Sequence, residues 1–133
     1  MKIWKGYGTE HSANLVIIGN FKTIEDATNA KKIIEELTEI VTQDEKKKLI
    51  TAGEPYTKFS PAIHDFVMRT NFAVTHSEPE QLLYDYSLEQ NEKTLNIHTE
   101  EQNFQVFLNA MIHYGAKIEV FSAHDYPSKY SRH

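Results

Sequence analysis

Eight apolar side chains, Ile24, Ala27, Ala30, Ile33, Ile34, Leu37, Ile40 and Val41, recur at three- and four-residue steps. On a helix they form a single stripe, and such a stripe needs a second layer to bury it. Thr23 is a good N-cap, and Glu25 and Asp26 place acids in the first turn, where the helix dipole favours them. The spacing predicts a helix over 24–42. Just before it, Leu15, Val16, Ile17 and Ile18 form an uninterrupted and largely β-branched run. That run predicts a buried central strand over 14–21, with a short strand at Ile3 and Trp4 ahead of it. A long amphipathic helix that follows a buried strand defines a sheet-and-helix protein, and the rest of the chain decides which kind.

Two later segments alternate. Leu95 and Ile97 face one way and Asn96 and His98 the other, over 94–98. Ile118 and Val120 oppose Lys117, Glu119 and Phe121, over 117–122. Strands of a doubly wound parallel sheet are apolar on both faces, whereas alternation marks a sheet packed on one side. Ser77 with Glu80, and Thr99 with Gln102, have capping-box spacing. The first predicts a short helix carrying Leu82, Leu83 and Tyr86. The second predicts a helix carrying Phe104, Phe107, Leu108, Met111 and Ile112 and ending at Gly115. Residues 63–75 carry two patterns. Ser60-Pro61 reads as a helix start, but Phe66, Met68, Phe72 and Val74 fall at period two. The expectation is a strand over at least 71–75, reaching back toward Phe66.

The predicted order is strand, long helix, strand, short helix, strand, helix, strand. It favours an α+β two-layer sandwich of ferredoxin-like build, with a four-stranded, largely antiparallel sheet and helices on one face. A doubly wound α/β fold is the alternative. The 133 residues suit one domain over 1–125, with a polar tail over 126–133.

Composition narrows the function classes. The chain has no cysteine, which removes disulfides, thiolate zinc sites and cysteine nucleophiles and fits a reducing cytoplasm. The net charge is −5, and the one dense basic run, Lys46-Lys47-Lys48, is flanked by Asp44 and Glu45. A duplex-binding basic face is therefore not expected. The longest apolar run is too short for a membrane span, and the start lacks the apolar core of a signal peptide. No phosphate loop, nucleophile elbow or metalloprotease helix motif occurs. No cofactor and no resident metal are expected.

Three places carry candidate chemistry. His76, His98 and His124 stand at or just past predicted strand ends. They would approach a divalent metal only if those strands ran parallel, with Asp125 or Glu100 nearby. The helix-free sheet face would present His98, Glu119 and, if the middle strand reaches Phe66, Arg69. There His98 and Glu119 would serve acid–base chemistry and Arg69 would clamp an anion. Phe121 on that face suits a partner contact. The opening loop gathers Trp4, Tyr7, Glu10, His11 and Asn14, a mixture of aromatic and polar groups common in recognition loops.

The stretch "KIWKGYGTEHSANLVIIGNF" at 2–21, followed by "EDATNAKKIIEELTE" at 25–39, resembles a family of small bacterial proteins of unknown function. The resemblance is most definite over about the first forty residues and brings no activity, substrate or catalytic residue with it. The reading that results is a protein-interaction or regulatory module, working with a protein partner or by self-association, a homodimer included. The alternative is a small enzyme that uses His/Glu acid–base chemistry on a polar or anionic metabolite.

Overall fold

A computed structural model describes residues 2–3, 14–51, 58–101 and 104–122. Strand β1 is Lys2–Ile3 and β2 is Leu15–Asn20. Helix α1 runs Ile24–Lys46, and α2 runs Pro61–Thr70. A 3₁₀ turn at Pro79–Leu83 leads into the hairpin β3 Tyr86–Asn91 and β4 Thr94–Thr99. Helix α3 is Gln105–His113 and β5 is Lys117–Ser122.

The sheet order is β1-β5-β2-β4-β3. Four strands, β5, β2, β4 and β3, are mutually antiparallel neighbours, and the two-residue β1 adds a parallel edge to β5. Leu15, Ile17, Leu95, Ile97, Ile118 and Val120 share one sheet face and one core with α1, α2 and α3. The molecule is a two-layer α+β sandwich, as the alternating strands require. Gly19 faces that core, and a Cβ there would collide with the Met111 side chain of α3. The helix layer sits close to β2 because this position carries no side chain.

Residues 61–70 are helical, contrary to the strand expected to reach back to Phe66, and 71–75 form no strand. The Ser60 side chain accepts from the Ile63 N–H, Pro61 stands in the first turn, and Asn71 ends the helix in the left-handed conformation. Ile63 and Phe66 are buried, while Met68, which period two would have placed in the core, is 80% exposed. Helix spacing and two caps outweigh alternation here.

The strand that replaces it in the sheet is β3, whose first residue, Tyr86, the capping-box spacing places on a helix. Only Tyr86 and Leu88 are apolar in its six residues, so its alternation is faint. The two-residue turn Glu92-Lys93 pairs β3 with β4, and Glu92 takes a positive φ of 55°. The segment after Ser77 makes only a 3₁₀ turn, and Thr99 ends β4 instead of starting a helix. Helix α3 begins at Gln105, with the Val106 N–H capped by the side-chain oxygen of Gln81 at 3.0 Å.

Candidate functional site

The register settles which residues share the helix-free face. Ser87, His98, Val16 and Phe121 lie in one row across β3, β4, β2 and β5; Glu89, Asn96, Ile18 and Glu119 lie in the next. Val16 is fully buried at the centre of its row, so this face is covered there.

His98 meets a residue 84 positions away. Its Nε2 lies 2.6 Å from Asn14 Oδ1. An amide oxygen only accepts, so Nε2 is the donor in this bond. Asn14 precedes β2 with a left-handed φ of 44°, a conformation that asparagine tolerates better than most residues. The opening loop and the sheet face, two separate expectations, thus meet at the Asn14–His98 bond. Trp4, Tyr7, Glu10 and His11 lie outside the described residues, as do His124, Asp125 and the tail.

Glu119 shares the face with His98 but not its neighbourhood. The two are opposite Ile18 and Val16 with β2 between them, a lateral separation of about 10 Å at the usual strand spacing. Arg69 is elsewhere. It sits on α2 in the helix layer, bonded to Glu36 of α1 and 3.6 Å from Asp65. Its guanidinium lies 5.9 Å from the Phe66 ring centroid. The paired Glu36 carboxylate, chiefly through the hydrogen bond, holds the guanidinium above its ordinary pKa. His98, Glu119 and Arg69 therefore form no single cluster, because the Arg69 segment is a helix and not the strand that would have carried it onto the sheet.

A cleft of about 400 Å³ opens where β3 begins and β4 ends, lined by Tyr84, Asp85, Tyr86, Ser87, His98 and the 99–101 segment with Glu100 and Glu101. Its chemistry is one imidazole amid carboxylates and phenols. Sequence reading marks His98 and Glu100 but not Asp85 or Tyr84, whose place depends on the unforeseen strand β3. The other described histidines are dispersed. His76 packs against Phe59, and His113 packs between Phe72 and Tyr114. Among the described residues no group of three His, Cys, Asp or Glu side chains is placed to hold a metal ion. Of the parallel-edge metal arrangement, β4 and β5 do run parallel to one another and both end opposite Leu15, but His76 follows no strand and His124 lies outside the described residues.

The other face of β3 meets α1. Tyr86 Oη and Thr38 Oγ1 are 2.6 Å apart, and the Tyr86 ring packs edge-on against Phe107. Burial pushes the Tyr86 phenol above its usual pKa; the Thr38 bond opposes that shift and the charge of Glu35 adds to it. Gln90 Nε2 donates to Thr28 Oγ1 at 3.0 Å, again tying β3 to α1. A second recess beside this edge is lined by Glu35, Thr38, Leu83, Tyr86 and Leu88. Among the described residues the outer edge of β3 has no strand partner.

Fold and site together define a two-layer α+β protein whose sheet, among the described residues, ends at β3, with an acidic, histidine-bearing cleft beside that edge. The chain belongs to a family of unknown function, DUF6375, whose match spans residues 1–133. The family likeness therefore runs the full length, well beyond the first forty residues. No curated protein and no solved structure matches the chain. Among the described residues no helix is long and apolar enough to cross a membrane.

Proposed function

We propose that this protein is an interaction module of ferredoxin-like build that adds a strand of a protein partner to the outer edge of β3. The observation that carries this reading is the character of that edge. It is six residues long and regular, ends the sheet among the described residues, and carries neither proline nor lysine. An unprotected edge of this length is a template for pairing, and natural sheets usually blunt it with such residues. Strand addition supplies affinity through main-chain hydrogen bonds and specificity through alternate side chains. The half-buried Tyr86 and Leu88 would supply the apolar contacts.

The test is capture from cell extract by the wild-type chain and by Leu88→Pro in parallel. Support requires a partner that the variant loses, and whose purified form slows amide exchange at Leu88 and Gln90 of the wild-type chain. Partners indifferent to Leu88→Pro would contradict it.

A second reading rests on the cleft at His98. An imidazole beside Glu100, Glu101 and Asp85 suits acid–base chemistry on a polar metabolite. The three carboxylates disfavour an anionic substrate. Turnover abolished by His98→Ala with the fold intact would favour this reading; unchanged turnover would remove it.

A further inference from the structure

We infer that the strand received by β3 is β3 of a second copy, paired antiparallel about a two-fold axis at Leu88. This deepens the strand-edge reading above and rests on it.

The hairpin fixes which backbone groups are available. In a two-residue hairpin the residues flanking the turn exchange hydrogen bonds, and bonding then alternates along the strand. Asn91 flanks the turn opposite Thr94. Asn91, Glu89 and Ser87 therefore bond inward to β4, and Gln90, Leu88 and Tyr86 turn their N–H and C=O groups outward.

Symmetry restricts the register. A two-fold axis normal to the sheet keeps both helix layers on one side, so the residue at the axis meets its own copy. With Glu89 at the axis, two carboxylates face each other across a close pair, which is unfavourable. With Leu88 at the axis, Leu88 meets Leu88, Tyr86 meets Gln90, and Ser87 meets Glu89. Every outward donor and acceptor of Tyr86, Leu88 and Gln90 then finds a partner, and two half-buried leucines close over one another.

Helix α1 gives an independent reason for a second copy. It runs antiparallel to β3, with Thr28 bonded to Gln90 and Thr38 to Tyr86. The level of Leu88 on α1 is therefore midway, near Ile33. Lys31 and Glu35 flank that level by two residues each and share the helix stripe that contains Thr28 and Thr38. Rotation about the axis places Lys31 of each copy level with Glu35 of the other. The charges of this edge are complementary to themselves, as an isologous contact requires.

The experiment combines the molar mass of the full chain in solution with two independent perturbations. The native chain should weigh twice its 15.4 kDa at high concentration. The chain has no cysteine, so Leu88→Cys gives a single thiol at the axis and should form a disulfide dimer at least tenfold faster than Gln90→Cys. Lys31→Glu should weaken the dimer about tenfold, and Lys31→Glu with Glu35→Lys should restore it. A monomer at every concentration overturns the pairing. So does a dimer in which the Gln90→Cys variant cross-links as readily as the Leu88→Cys variant, or in which the charge swap restores nothing. Either result leaves the strand-edge reading to the capture experiment, where a foreign strand lost in Leu88→Pro would still support it.

Discussion

The hydroxyl of Ser60 donates to the carboxylate of Asp44 at 2.6 Å, and the same oxygen accepts from the Ile63 N–H at 3.2 Å. One side chain thus caps α2 and ties it to the end of α1. Asp44 is only 2% exposed. A buried hydrogen bond to a charged group contributes about 2 kcal/mol. Asp44→Ala should cost about that much in urea unfolding, and Ser60→Ala, which loses the cap as well and deprives the buried Asp44 of this donor, at least as much. Equal stability of Asp44→Ala and wild type would show that the bond is dispensable.

Gly19→Ala should destabilise the fold by about 1–3 kcal/mol, the usual cost of overpacking a core. The added methyl meets the fully buried Met111, so either α3 or the thioether must shift. Met111→Ala opens a cavity of its own, so the double variant should lose less stability than the sum of the two single variants. A neutral Gly19→Ala would mean that Met111 has room to move.

Glu92 holds a positive φ at the first position of the β3–β4 turn. A non-glycine residue there costs about 1 kcal/mol, and glycine removes most of that strain while adding some entropy to the unfolded chain. Glu92→Gly should therefore raise the midpoint of unfolding slightly and leave the register of β3 unchanged. A lower midpoint would show that Glu92 makes a compensating contact.

These residues also show how far the sequence could be read. The stripe from Ile24 to Val41 and the alternation of 94–98 and 117–122 are strong periodic patterns, and they suffice for α1, β4, β5 and the two-layer build. The period-two pattern from Phe66 to Val74 misleads because Met68 is an exposed apolar residue, which only its 80% exposure reveals. Strand β3 is nearly invisible: "YSLEQN" holds two apolar residues, and its turn uses Glu-Lys where hairpins favour Asn-Gly or Asp-Gly. Because the candidate edge is β3 itself and one wall of the His98 cleft is the start of β3 with the two residues before it, the site is less legible than the fold. His98 and Asn14 both stand out in the sequence, but no local pattern foretells a bond across 84 residues.

The Tyr86 phenol gives a pH prediction. Burial raises its folded pKa above the unfolded value. The stability that goes with the neutral phenol is fully present below an unfolded pKa of about 10 and is lost as pH rises through the higher folded value. Wild type should therefore lose stability in alkaline solution more steeply than Tyr86→Phe, which cannot ionise. At neutral pH the variant should be less stable by about 1 kcal/mol for the lost Thr38 hydrogen bond. Parallel alkaline profiles would contradict the assignment.

Residue-resolved amide exchange along β3, followed against protein concentration, tests the central claim most directly. At low concentration Ser87 and Glu89 should be protected by β4, while Leu88 and Gln90 exchange freely. As concentration rises, Leu88 and Gln90 should become protected together, in step with the doubling of mass. Fast exchange at Leu88 and Gln90 at every concentration, or a dimer that leaves them fast, would contradict pairing through this edge.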